Sequence, residues 1–159
     1  MSLDERQKAF IGYLLNLVKE GREERGALAD LRSGLGKEPS KMARVHRHVV
    51  PYLPQKNYND AWYYMIATLF GSFPQHRSGY SLGAAFSHLK QKSESMEARF
   101  VALLNAHSDD LDEHLRHIVS LLKANEQPLD WFCLFADLLQ WEHPDGHVQL
   151  RWARDFYKS

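Results

Sequence analysis

The chain has 159 residues, 44% of them apolar and 25% charged, and its 20 Lys and Arg balance 20 Asp and Glu. That size suits one domain, expected to span 1–159, or two lobes sharing a core, and the composition excludes a disordered or fibrous protein. No apolar run approaches the roughly 20 residues of a membrane span, no signal-peptide pattern opens the chain, and the single Cys133 rules out an internal disulfide.

The default expectation is therefore cytoplasmic, with Cys133 a buried structural thiol. The periodicity is helical almost from end to end. Ser2 and Glu5 have the spacing of a capping box, and Phe10, Tyr13, Leu14, Leu17 and Val18 follow as an i, i+3, i+4 stripe that Gly21 ends. A second helix is predicted over 23–33, stopped by Gly34 and Gly36. A third starts after Pro39, with Ser40 near its cap, and ends before Pro51. It carries Lys41, Arg44 and Arg47, whose three-residue spacing predicts one broad cationic stripe on one helix.

Asp60 is the expected cap of a fourth helix through Trp62, Met65, Ile66, Leu69 and Phe70, ended by Gly71 and Pro74. Residues 72–79 read SFPQHRSG, the clearest loop, with Arg77 in it. Ser81 opens a fifth helix through Leu82, Ala85, Phe86 and Leu89 that finishes at Lys90 and Lys92. Ser95 opens a sixth with Phe100, Leu103 and Leu104, and Arg99 beside them. Ser108 caps a seventh with two aspartates in its first turn, where they suit the helix dipole. Its apolar face is Leu111, Leu115, Ile118, Val119 and Leu122. Pro128 leads into an eighth over 129–141 and Pro144 into a ninth over 147–157. The eighth is apolar almost all round, which fits a central core helix or one covered by a partner subunit. With no period-2 alternation, the fold class is all-α: a bundle of about nine helices without a sheet.

The neutral total hides a split. Residues 1–92 carry 14 Lys and Arg against 8 Asp and Glu, and residues 93–159 carry 6 against 12. Between Arg32 and Lys56 stand six cations and only Glu38. Such asymmetry points to a polyanion partner, or to basic and acidic parts that face each other.

Catalytic patterns are missing. There is no Gly-x-Ser-x-Gly elbow and no strand to carry one. Gly34-Leu35-Gly36-Lys37 follows a helix and lacks the Ser or Thr of a phosphate loop. His143 and His147 are four apart, and His114 and His117 three apart, spacings that chelate a metal on a helix face. His143, however, precedes Pro144, where the backbone leaves the helical region, and neither pair forms a His-Glu-x-x-His site. Asp109, Asp110, Asp112 and Glu113 are explained by their helix N-terminus. No metal and no cofactor are expected. What remains is a set of cations on helices and one loop, suited to contacting phosphates without reading bases. The sequence leaves a helix-turn-helix open.

Several segments together are recognisable. Glu97-Ala98-Arg99-Phe100-Val101-Ala102-Leu103-Leu104, Leu115-Arg116-His117-Ile118-Val119, Pro128-Leu129-Asp130-Trp131 and Arg151-Trp152-Ala153-Arg154-Asp155-Phe156-Tyr157 resemble, in that order, the CasB small subunits of the type I-E CRISPR Cascade complex. Tyr80-Ser81-Leu82-Gly83-Ala84-Ala85-Phe86 is similar to that family's Ser-Leu-Gly segment, and Ala27-Leu28-Ala29-Asp30-Leu31-Arg32 to its N-terminal Leu-Arg segment. The ordered set covers the chain from about Leu14 to Tyr157, and no single motif in it is diagnostic. The resemblance implies a non-catalytic helical subunit that self-associates within an RNA-guided complex. Its partners would be other Cascade subunits, guide RNA and target DNA, including the displaced strand. By the same resemblance Arg32, Arg47, Arg99 and Arg116 fall on basic positions of the family; helix geometry and loop exposure add Lys41, Arg44 and Arg77. Ala84 and His117 stand where the family often has a second basic residue. Arg151 and Arg154 are open between nucleic acid and a structural pairing with the acidic part. The alternatives are a pure protein scaffold, a freestanding nucleic-acid-binding bundle and a metal-dependent phosphohydrolase using the histidines.

Overall fold

The computed structural model describes residues 2–158, the side chain of residue 20 excepted, so Met1 and Ser159 of the expected 1–159 unit lie outside the described residues. Nine α-helices form among the described residues: α1 (Glu5–Asn16), α2 (Arg25–Arg32), α3 (His46–Val49), α4 (Asp60–Ser72), α5 (Leu82–Ser87), α6 (Glu94–Leu104), α7 (Ser108–Ala124), α8 (Trp131–Leu139) and α9 (His147–Lys158). No strand occurs among them; extended pairing is limited to an isolated parallel bridge between His76 and Leu129. The all-α class follows from the helical periodicity. Among the described residues no helix is long and apolar enough to cross a membrane.

Several helix starts differ by one or two residues from the predicted ones. α1 starts from Asp4 rather than Ser2. The Asp4 carboxylate accepts from the Gln7 amide at 2.8 Å and the Gln7 side chain accepts from the Asp4 amide at 2.8 Å, a full capping box with a charge that suits the helix dipole. Ser93, not Ser95, precedes α6, and Asn59, not Asp60, precedes α4. His107 stands at the N-cap of α7, so Ser108 is its first helical residue. Ser81 does cap α5: its Oγ accepts from the Ala84 amide at 3.1 Å and donates to Asp155 at 2.6 Å. The fifth helix stops at Ser87, and Lys90 and Lys92 follow in turns.

The predicted third helix is broken. Pro39–Lys41 forms a 3-10 turn, residues 43–45 a further turn, α3 spans only four residues, and Val50–Tyr52 is 3-10 again. Met42, before the turn at 43–45, and Val45, at its end, are both buried, and both approach Gly34. Lys41, Arg44 and Arg47 are consequently not on one stripe of one helix.

Packing pairs distant segments: α2 lies on α4, α5 on α9, α4 on α8, and α6 on α7. α5 and α9 approach so closely that a Cβ on Gly83 would collide with the Trp152 carbonyl. Two aromatic clusters fill the interior. Phe10, Tyr63 and Phe135 meet at inclined angles where α1, α4 and α8 converge, with Tyr63 and Phe135 edge to face and their centroids 4.9 Å apart. Phe86, Phe100 and Phe156 stack where α5, α6 and α9 converge, the latter two at 4.1 Å. The buried apolar residues from Leu3 to Phe156 make one contiguous cluster.

α8 is central, as one of its two readings held, with Trp131, Leu134, Phe135 and Leu138 buried. It is not apolar all round. Asp137 is also buried, held by Arg151 and by the Trp152 indole N–H at 2.8 Å. Burial pushes the Asp137 carboxyl above the usual range, against the opposing pull of Arg151 and Trp152.

Candidate nucleic-acid interface

The cations fall into three groups. The first surrounds an open groove between the end of α2, the end of α4 and one face of α7, lined by Leu35, Ser72, Arg116, Ser120 and Lys123. Arg116, Ser120 and Lys123 stand at i, i+4 and i+7 along α7 and so share one face. Arg32 in the last turn of α2 donates to the carbonyl of Gly71, the residue before Ser72, at 3.3 Å. Gly36 lies beside Arg116. Its φ of +75° is a conformation side chains rarely adopt, and a Cβ there would come within 3.2 Å of the Arg116 guanidinium carbon. The guanidinium therefore lies flat on bare backbone, next to the exposed Lys37. Asp112 holds it in place at 2.9 Å, an i, i+4 pair in which both side chains remain about a third exposed.

Of the sequence candidates, Arg116 lines this groove, joined by Lys123, and Arg32 is bonded to the residue before the lining Ser72. Lys123 was not among the sequence candidates. Its signal was the seven-residue step from Arg116, which has meaning only once that face of α7 is known to be uncovered.

The second group decorates the irregular segment after α2. Lys41 and Arg44 are exposed on its turns. Arg47 is exposed too, but its guanidinium meets Asp30 at 2.5 Å. Asp30 also bonds His48 Nε2 at 3.1 Å, and His48 Nδ1 meets the Tyr13 hydroxyl at 2.6 Å. Arg47 is therefore paired with Asp30 while its side chain stays largely exposed.

The remaining candidates stand apart. Arg77 is in the loop before α5, its guanidinium 3.8 Å from the Tyr80 ring centroid and bonded to the Tyr80 hydroxyl at 2.9 Å. A cation held flat on an aromatic ring presents its outer N–H groups to solvent. Arg99, half-buried on α6, is hydrogen-bonded to His117 of α7. Of the two C-terminal arginines, Arg151 is structural through Asp137, and Arg154 is exposed. Cys133 offers no nucleophile: burial, and then Asp130 beside it, push its thiol up to about 12, so it stays protonated.

Comparison with known proteins decides the family. The family model for CRISPR-associated protein Cse2 matches residues 27–157. The chain belongs to the Cse2 family. It is 34% identical over 135 residues to the CRISPR-associated protein Cse2 of Thermus thermophilus, an alignment covering 82% of this chain and 78% of that protein. It is also similar to the crystal structure of a Cse2-family protein from the same organism, with a TM-score of 0.85 and 32% identity, each chain covered in full. A chain of a CRISPR RNA-guided surveillance complex matches with a TM-score of 0.81 and 27% identity, over 97% of this chain and 92% of that one. The Cse2 match spans α2 to α9, so the groove and every cation discussed above fall inside it.

Proposed function

We propose that this Cse2-family chain is a non-catalytic small subunit of an RNA-guided CRISPR surveillance complex. In this reading its partners are the other Cascade subunits, guide RNA and target DNA, and it binds nucleic-acid backbone without reading sequence and so stabilises the R-loop and its displaced strand. The observation that carries the reading is the groove lined by Arg116, Lys123, Ser72 and Ser120, with Arg32 bonded to the Gly71 carbonyl next to Ser72. Its lining offers hydroxyls and cations, the groups that bind phosphate oxygens. Exchange of a DNA duplex for a guide–target heteroduplex is nearly balanced, so a few backbone contacts are enough to tip it towards the open state.

The test is a mobility shift of purified protein on unrelated single-stranded and double-stranded DNAs across a salt series, alongside Arg32→Ala/Arg116→Ala/Lys123→Ala. Wild type is expected to bind all sequences alike and to weaken with salt. On single strands the triple variant should flatten the log K against log salt slope by about 2, since each lost phosphate contact removes about 0.7. An unchanged slope would remove the groove from the interface. No binding of wild type even at low salt would favour a subunit whose cations contact only protein neighbours.

A further inference from the structure

The turn between α8 and α9 collects three metal-binding side chains within five residues. His143, Asp145 and His147 each offer one ligand atom, and these atoms all lie within 4.8 Å of one another. His143 is outside any helix, as Pro144 requires, so the two histidines are not a helical i, i+4 pair. A turn brings them together instead. The Gly146 amide donates to the His143 carbonyl at 3.0 Å, and Gly146 itself takes φ +64°. The His143 and His147 ring centroids end 5.0 Å apart, steeply inclined at 68°. The Asp145 carboxylate lies between them, 2.8 Å from His143 Nδ1 and accepting from the His147 amide at 3.0 Å. His143 and Asp145 are exposed and His147 is half-buried, so an ion has an open path in.

From this convergence we propose that His143, Asp145 and His147 form a binding site for a divalent transition-metal ion of the zinc type. Two imidazole nitrogens and one carboxylate oxygen select borderline ions such as Zn²⁺, Co²⁺ or Ni²⁺ over Mg²⁺ and Ca²⁺, which prefer all-oxygen shells. Three protein ligands leave at least one position of a tetrahedral ion for water or a further ligand. The ion would take the place of the close contact between the His143 ring and the Asp145 carboxylate and staple the connection that launches α9. The site is separate from the groove of α2, α4 and α7, and the proposal stands whether or not the nucleic-acid reading does.

The experiment is calorimetric titration of Zn²⁺ into tag-free full-length protein freed of metal with a chelator. One ion per chain is expected, together with a rise in melting temperature of about 5–10 °C when free Zn²⁺ is about 100 times its Kd. His143→Ala/His147→Ala should abolish the binding event, and Asp145→Asn, which can keep the turn's amide bond, should weaken it at least tenfold. His114→Ala/His117→Ala should leave it unchanged. Mg²⁺ should give no heat of binding. Absence of binding at about 100 µM Zn²⁺, or binding that survives His143→Ala/His147→Ala, would overturn the proposal, as would loss confined to the His114→Ala/His117→Ala variant.

Discussion

Asp30 shows how a single side chain organises its surroundings. It accepts from His48 and from Arg47, and these two donors, in that order, hold its carboxyl below the usual carboxylate range. Buried His48 passes the network on to Tyr13 of α1. An aspartate depressed below its unfolded pKa of about 3.9 contributes stability above that value and loses it as pH falls through the lower, folded pKa. The stability difference between wild type and Asp30→Asn is therefore expected to be full at about pH 5 and to shrink steadily below about pH 4. Urea midpoints across an acid series measure it; a difference that stays constant through that range would show that Asp30 is not linked to protons. Asp30 also pairs with the Arg47 guanidinium. The two lie 17 residues apart, and nothing in their local spacing announces a pair.

Among the helices, contact between α5 and α9 is the most demanding. Substituting Gly83→Ala would drive a Cβ into the backbone of Trp152, whose Cα would be 3.0 Å away, and backbone cannot swing aside as a side-chain tip can. The overpacking costs about 1–3 kcal/mol, against about 1 kcal/mol of helix propensity gained. A net loss is expected, read as a fall in melting temperature of a few degrees by circular dichroism; an unchanged or raised value would mean that the two helices have room to part. This contact also marks what the sequence could and could not disclose. Long amphipathic elements such as α7 were legible because Leu111, Leu115, Ile118, Val119 and Leu122 repeat at helical intervals and are all buried. Ser81 was legible as a cap because N-capping is local. The segment after Pro39 was not: it alternates 3-10 turns with a four-residue helix, while its Lys41, Arg44 and Arg47 repeat at the helical spacing of three. The site divides in the same way. Arg32 and Arg116 were visible as cations, but the approach of Arg116 to Gly36 and of Arg32 to Gly71 depends on the packing of α2 and α7 against α4.

At the scale of the whole molecule, the sequence suggested a basic and an acidic part, whereas the interior forms one apolar cluster through both. A shared core predicts shared unfolding. Trp62 reports on the first part, and Trp131, Trp141 and Trp152 on the second. Thermal curves from the fluorescence of Trp62→Phe, which sees only the second part, are expected to coincide with those from far-ultraviolet circular dichroism of the same variant. Two separated midpoints would divide the chain into independent lobes. The closeness of α5 and α9 has a consequence for biosynthesis as well. The partner of α5 follows every other helix in the chain, so on the ribosome Leu82, Ala85 and Phe86 emerge long before Phe156 and Trp152 can cover them. Until translation reaches α9, the nascent chain carries an uncovered greasy face, and premature stops within α9 would yield products prone to clump or to be degraded rather than shortened working copies.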